Sequence, residues 1–354
     1  MQNNKPYVVR IMPSIPSTNP PPGFNISTPS RLPPGLKLPQ DLRDQLLDST
    51  SSIWNDLFVG MYLSDIFDEV VTPIYYAKQG ALIFDNSIIE SKLGEGSFGT
   101  VIKIYNVVNG NYYAIKILRK SMVRRGDVIN EINILGQLKP HCNKYILCIE
   151  CAFESANFYL IVTELLDNFI SLRDYIDDRH NIDYDNNQII IKELIMGLRV
   201  LHNKVCHRDI KPDNIMVDIN GNIKYIDFGL SCDINCRSKV GSPIYTAPEI
   251  LIMSGLNLNS AQCIKGDYWA LGMTIYELEM TNNFIADEIN DNRSVLKGSS
   301  EIGILKFLLK RYTAQGVPWA KYLDSPSIYT PYVLTKLLHA DPEKRDLPIV
   351  SNRC

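Results

Sequence analysis

The chain has 354 residues, 45% of them hydrophobic, so it is long enough for two cored lobes and a tail. Its net charge of −3 and pI of about 6.0 argue against a nucleic-acid partner held by general electrostatic attraction. No apolar run approaches a membrane span and the first residues lack a continuous apolar signal core, so a soluble, cytoplasmic protein with no membrane span is expected.

Residues 1–40 carry ten of the twenty prolines, among them Pro20-Pro21-Pro22 and Pro33-Pro34. Such a segment cannot build a packed core, and a disordered Pro-rich tail is expected. Over 41–85 apolar residues return at helical spacing (Leu42, Leu46, Leu47, Ile53, Trp54, Leu57, Phe58), which predicts a helical N-terminal extension. It packs on the lobe that follows or recruits a partner, and the spacing does not say which.

A strand-like pattern begins near Ser87 and leads into Leu93-Gly94-Glu95-Gly96-Ser97-Phe98-Gly99-Thr100-Val101. A G-x-G-x-x-G run also marks dinucleotide-binding turns, but there it must open a helix. Here the sequel VIKIYNVVNGNYYAIKIL is β-branched and aromatic, with Asn109-Gly110 at its centre, which is a hairpin signal. The glycines are therefore read as a flap between two strands, where the backbone can approach phosphates closely. On the next strand Ala114 and Lys116 share one face while Ile115 and Ile117 take the other. Lys116 thus points where Val101 and Ala114 form an apolar ceiling, and a lysine on such a face can bridge phosphates. A loose ammonium needs a carboxylate on the next helix to hold it. Glu131 stands at the edge of the helical stripe Val128, Ile132, Leu135 and Leu138.

The eight cysteines are scattered. Cys148 and Cys151 form a C-x-x-C, but ILCIECAF reads as a strand, where residues three apart point to opposite faces. No second pair completes a zinc site, and most of the thiols are expected to be reduced and partly buried.

The densest polar stretch, CHRDIKPDNIMVDINGNIKYIDFG, runs from Cys206 to Gly229. Asn220-Gly221 between two apolar runs predicts a second hairpin, which brings the loop holding Asp209 and Asn214 beside Asp227. Carboxylates and an amide converging on one patch form a hard-oxygen site suited to Mg²⁺. In that patch Asp209 can accept a proton, Lys211 can neutralise a transferring phosphoryl group, and Asn214 with Asp227 can hold the metal.

This stretch resembles the catalytic and metal loops of the eukaryotic-type protein kinases, H-R-D-x-K-x-x-N followed by D-F-G. Gly241-Ser242-Pro243-Ile244-Tyr245-Thr246-Ala247-Pro248-Glu249 and Lys211 are similar to the kinases that act on serine or threonine. Asp267-Tyr268-Trp269-Ala270-Leu271-Gly272 and Asp341-Pro342-Glu343-Lys344-Arg345 resemble two further family elements, and the likeness runs from about 88 to 346. It implies an α+β, bilobal fold, with a small β-rich N-lobe over 86–166 and a larger, mainly helical C-lobe over 167–354. It also implies ATP and Mg²⁺ as cofactors and a protein substrate phosphorylated on Ser or Thr. Glu131 falls where the family pairs a glutamate with the lysine. Glu164 and Leu166 would offer backbone groups to the adenine, Thr163 would guard the back pocket, and Met216 would underlie the base. Asp267 would bind amides of the catalytic loop, and Arg345 would pair with Glu249. A phosphate on Ser238 would pair with Arg208. Cys232 and Cys236 are read as a candidate redox pair. The competing reading is a pseudokinase or nucleotide-binding scaffold that acts through partners. Its usual mark is loss of the lysine, the catalytic aspartate or the metal aspartate, and all three are present. The stretch from about 281 to 331 departs from the family pattern. The Asn-, Ile- and Tyr-rich composition is similar to that of kinases of large cytoplasmic DNA viruses.

Overall fold

The computed structural model describes residues 59–67, 71–75, 77–96, 99–142, 144–178, 184–233, 241–252, 260–293, 299–323 and 327–350. The expected Pro-rich tail, the extension before residue 59, Ser97, Phe98, the Glu95 side chain, Cys236 and Ser238 lie outside the described residues. The chain divides into two compact units. One runs to Lys139 and includes Cys148–Asp167, and the other comprises Pro140–Leu147 and the chain from Asn168 onward.

The first unit is built on a six-stranded antiparallel sheet, β1 (Thr72–Tyr75), β2 (Ser87–Gly96), β3 (Gly99–Asn106), β4 (Tyr112–Arg119), β5 (Ile149–Glu154) and β6 (Phe158–Glu164). The strand order is β1-β5-β6-β4-β3-β2. The two hairpins form where the sequence puts turn residues. β2 and β3 stay paired out to Gly96 and Gly99, and β3 turns into β4 through Gly110 at φ +71°. Gly99 is required for steric reasons, because a Cβ there would stand 2.0 Å from the Ile117 carbonyl oxygen. α3 (Arg125–Leu138) follows β4 and buries Val128, Ile132, Leu135 and Leu138, the stripe expected from their spacing.

Register separates the two faces of this sheet. Val101, Lys116, Ile161 and Ala152 are paired across four strands and share one face. Ile102, Ile115, Val162 and Cys151 are paired likewise on the other, with Ile117, Leu160 and Phe153. That second face is not solvated. It is covered by Leu63, Ile66, Phe67, Val71, Ile83 and Phe84, which join it in one core cluster. They come from α1 (Leu63–Ile66), α2 (Ala77–Asp85) and the chain around them. Phe67 meets Phe158 edge-on, with ring centroids 5.6 Å apart. Each buried side chain of this size is worth about 1.5–3 kcal/mol, so these six contribute on the order of 10 kcal/mol before entropy is charged. That is comparable to a domain's whole net stability, so the described part of the extension, from residue 59, belongs to this fold. Nor is it purely helical. Thr72–Tyr75 form edge strand β1, which accommodates Pro73 because an edge position does not require every N–H.

The second unit is mainly helical. It contains α4 (Leu172–Asp177), α5 (Tyr184–Leu201), α6 (Pro248–Ile252), α7 (Ser260–Met280), α8 (Phe284–Arg293), α9 (Glu301–Gln315), α10 (Trp319–Tyr322) and α11 (Tyr329–Leu337). A small sheet in the order β7 (Phe169–Ser171), β8 (Ile215–Asp218) and β9 (Ile223–Tyr225) carries the polar loops. Asn220-Gly221 forms the expected turn, with Gly221 at φ +76°. Asp218 caps it by accepting from the Asn220 and Asn222 amides at 2.9 and 2.8 Å. α7 is buried nearly all round, with Trp269, Leu271, Met273, Ile275 and Tyr276 each at 0% exposure, and so serves as the axis of this unit. The stretch that departs from the family pattern forms α8, α9 and α10. Among the described residues, no helix is long and apolar enough to cross a membrane.

The cysteines correct one expectation. Cys151, Cys206 and Cys263 are free and buried, but Cys142, Cys148 and Cys232 are disulfide-bonded. Pairing depends on Cα separation and Cβ direction, which spacing along the chain does not encode.

Candidate active site

In the first unit the sheet presents Lys116 and helix α3 presents Glu131. The Lys116 ammonium donates to Glu131 Oε1 at 2.7 Å, and the glutamate side chain is only 8% exposed. A carboxylate that deep in the fold must be paired, and the lysine is the group that meets it. Leu93 is exposed on β2, while Gly94, Val101 and Ala114 are half-buried. At the end of β6 the Glu164 amide donates to Cys148 O at 2.9 Å, and the Glu164 carboxylate accepts from the Cys148 amide at 2.8 Å. Its own N–H is therefore engaged, so the backbone group Glu164 can offer a base is its carbonyl. The Thr163 hydroxyl lies against that carbonyl at 3.2 Å.

The second unit holds the remaining residues. Arg208 and Asp227 have positive φ, +67° and +59°, without being glycine. Such backbone costs about 1–3 kcal/mol per residue and persists only where neighbours enforce it. Asp267, 1% exposed on α7, does so for Arg208. Its Oδ1 accepts from the Arg208 amide at 2.8 Å, and its Oδ2 from the His207 amide at 2.8 Å and His202 Nε2 at 2.9 Å. The loop before Asp227 is tied back as well. The Ile226 amide donates to Asn214 O, and His207 Nε2 meets Ile226 O, both at 3.0 Å. The two loops are thus joined by one backbone bond and one from the His207 ring.

The Asp209 carboxylate is surrounded. Oδ1 accepts from the Ser242 amide at 2.9 Å and its hydroxyl at 3.0 Å. Oδ2 accepts from the Asn214 amide nitrogen at 2.8 Å and lies 3.1 Å from Lys211 Nζ. Lys211 in turn donates to Ser242 Oγ at 2.9 Å. With its nitrogen spent on Asp209, Asn214 has its side-chain oxygen to offer a cation. That oxygen and the exposed Asp227 carboxylate are hard donors, and the set fits Mg²⁺. Met216 is half-buried on β8, directly after Ile215.

Two sets of contacts have no local signal in the sequence. Ser242 bridges Asp209 and Lys211 from 31 residues or more away. Arg173 on α4 donates to Glu277 at 2.7 Å and to the Tyr245 hydroxyl at 2.9 Å, and that hydroxyl donates to Glu277 at 2.5 Å. Burial, then the Glu277 charge, push the Tyr245 phenol well above its ordinary value, so it stays a donor. This network anchors the 242–249 segment from one side. Arg345 anchors the other, with both terminal nitrogens on Glu249 at 2.6 and 2.7 Å while its guanidinium stacks on Trp269. The Arg345–Glu249 pair is the one that the family resemblance implied, whereas for Ser242, Tyr245 and Arg173 only the G-S-P-x-Y pattern hinted that this segment mattered.

A lysine–glutamate pair on a β-sheet unit and a braced H-R-D loop in a helical unit define a phosphotransferase scaffold. Residues 88–347 match the family model of the protein kinase domain, and the chain belongs to the protein kinase family. It is 30% identical over 212 residues to the serine/threonine protein kinase ypkA of Aspergillus fumigatus, covering 57% of this chain and 32% of that protein. To the citron rho-interacting kinase of Rattus norvegicus it is 30% identical over 202 residues, 54% of this chain and 10% of the relative. To the probable serine/threonine protein kinase IRE4 of Arabidopsis thaliana it is 29% identical over 317 residues, 77% of this chain and 27% of the relative. The chain thus spans about a third or less of the length of these relatives.

Proposed function

We propose that the protein transfers the γ-phosphate of ATP to serine or threonine hydroxyls of protein substrates. The observation that carries this reading is the Asp209–Lys211–Asn214–Ser242 network, in which a carboxylate and an ammonium are fixed side by side. The transition state of phosphoryl transfer spreads charge over equatorial oxygens, so the protein's part is positioning and electrostatic stabilisation. Gly94, Glu95, Gly96, Ser97, Phe98 and Gly99 cover the phosphates with backbone amides. Lys116, held by Glu131, orients them. The Glu164 carbonyl and the Leu166 backbone take the adenine edge, with Leu93, Val101, Ala114 and Met216 as apolar walls. Asp209 accepts the proton of the incoming hydroxyl, and Lys211 steadies the γ-phosphoryl. Asn214 and Asp227 would hold Mg²⁺, which when bound neutralises charge between the phosphates. The choice of Ser or Thr rests on Lys211 meeting Ser242, and on the serine/threonine kinase names of the relatives.

The test compares the wild-type chain with Asp209→Asn, using radiolabelled ATP, Mg²⁺ and a basic protein acceptor. General-base terms are worth about 10²–10⁴ in rate, so the variant should bind ATP nearly as well while transfer falls by that factor. Equal transfer by the variant would refute the role of Asp209. Nucleotide binding with no transfer by the wild-type chain would favour the scaffold reading.

A further inference from the structure

We propose that the segment preceding the kinase domain is a built-in brace on helix α3, and that Tyr75 is the positioning residue through which it sets the Lys116–Glu131 pair. The segment lies before the matched span of 88–347. It grips the sheet at both edges. At the β2 edge the Gly60 amide donates to Ile89 O at 2.8 Å and the Ile89 amide to Met61 O at 2.9 Å. At the other edge β1 pairs with β5, placing Tyr75 opposite Ala152. From there the Tyr75 ring reaches α3. A Cβ on Gly136 would stand 2.8 Å from Tyr75 Cε2 and 3.3 Å from Cζ, so the ring sits on bare helix backbone.

Gly136 stands in the last turn of α3, and the Tyr75 ring lies where its Cβ would be, so the contact depends on the residue there carrying no side chain. Gly136 is five residues beyond Glu131, about 7.5 Å along the axis and about 140° around it. Tyr75 therefore presses on a different side of α3 from the one Lys116 holds. The helix is seated between an ion pair drawing it toward β4 and a ring fixing its later turns to the β1–β5 edge. Lys139, just past the helix, reinforces that edge by approaching Glu150 on β5 at 3.3 Å. Displacing the ring frees the C-terminal half of α3, and Glu131 loses its fixed position beneath Lys116.

The activity readout rests on the transfer reaction proposed above, whereas amide exchange does not. Full-length wild-type, Tyr75→Ala and Tyr75→Phe chains are compared by hydrogen–deuterium exchange over α3 and by kcat and KM for ATP. In Tyr75→Ala the amides of residues 131–138 should exchange about tenfold faster while those of α7 are unchanged, and kcat should fall by about the same factor. Tyr75→Phe keeps the ring and should retain most of the protection over α3 and most of kcat, far more than Tyr75→Ala does. In a Glu131→Ala background Tyr75→Ala should cost nothing further, because both changes remove the same positioned carboxylate. Unchanged exchange over α3 overturns the proposal whatever the activity, and so does an equal loss of kcat with and without Glu131. If Tyr75→Ala does not fold, Tyr75→Leu, which keeps apolar volume but not the flat ring, is read in the same way. A wild-type chain that transfers no phosphate defeats the proposed function, and exchange alone then decides the brace.

Discussion

Asp267→Asn isolates what holds the catalytic loop in its strained form. The wild-type carboxylate is 1% exposed and receives three hydrogen bonds, two from the consecutive amides of His207 and Arg208 and one from His202. An asparagine fits the space but has one acceptor, and its amide group must face an N–H on the other side. Hydrogen bonds to a charged group are worth about 1.5–3 kcal/mol each, so one bond is lost outright and the rest weaken. The loss falls where Arg208 is held at φ +67°. Its release relieves about 1–3 kcal/mol of strain, so a relaxed loop gains on the productive one. If the relaxed form wins by about 2–3 kcal/mol, kcat for transfer falls about 30- to 150-fold at one factor of ten per ~1.4 kcal/mol. KM for ATP should change little, because Asp267 touches the loop and not the glycine flap. Steady-state transfer to a basic protein acceptor, with urea unfolding followed in parallel, reads both effects. Wild-type kcat together with a wild-type urea midpoint would refute the reasoning.

Other outcomes follow from the same contacts. Ser242→Ala keeps the backbone bond to Asp209 but removes the hydroxyl between Asp209 and Lys211, so kcat should drop about 5- to 30-fold with KM for ATP unchanged. Arg345→Ala leaves Glu249 facing an emptied site in the fold and should lower unfolding free energy by about 3–5 kcal/mol in urea. A loss under 1 kcal/mol would show that the pair contributes little. Burial first, then the nearby Glu150, push the Cys151 thiol from 9.0 up to about 12, against Lys139. A raised folded-state value means that this group's contribution to stability is complete below pH 9.0 and is lost as pH rises toward about 12. At pH 8 iodoacetamide should therefore modify Cys151 only in urea, and mass spectrometry showing prompt labelling of the folded chain would contradict this. A chain starting at Ser87 bares the sheet face that Leu63, Ile66, Phe67, Val71, Ile83 and Phe84 cover, and should show no cooperative unfolding transition. A sharp melt there would mean the six side chains are dispensable.

Much of the site could be read from the chain because it is encoded locally. Asn109-Gly110 and Asn220-Gly221 announce their hairpins, since each glycine supplies the positive φ that the turn requires. Strand alternation places Lys116 on the face with Val101, and helical spacing puts Glu131 beside the buried stripe of α3. Asp209, Asn214 and Asp227 needed only the short β8–β9 hairpin to bring their loops together.

Other features needed the folded chain. The isoleucines at 102, 104, 115 and 117, all on one face, are buried as thoroughly as any core residue, a sign that this face of the sheet is covered as well. Nothing in their strands says that residues before Ser87 do the covering. Tyr75 on Gly136, Ser242 between Asp209 and Lys211, and Arg173 on Glu277 join positions tens of residues apart through side chains with no shared period. The bonded state of Cys142, Cys148 and Cys232 likewise depends on how the folded backbone places and directs each Cβ. Turn and strand preferences arise from the dihedral angles of neighbouring residues and are written along the chain. Contacts between distant segments exist only once packing has chosen which surfaces meet, and that choice belongs to the tertiary structure.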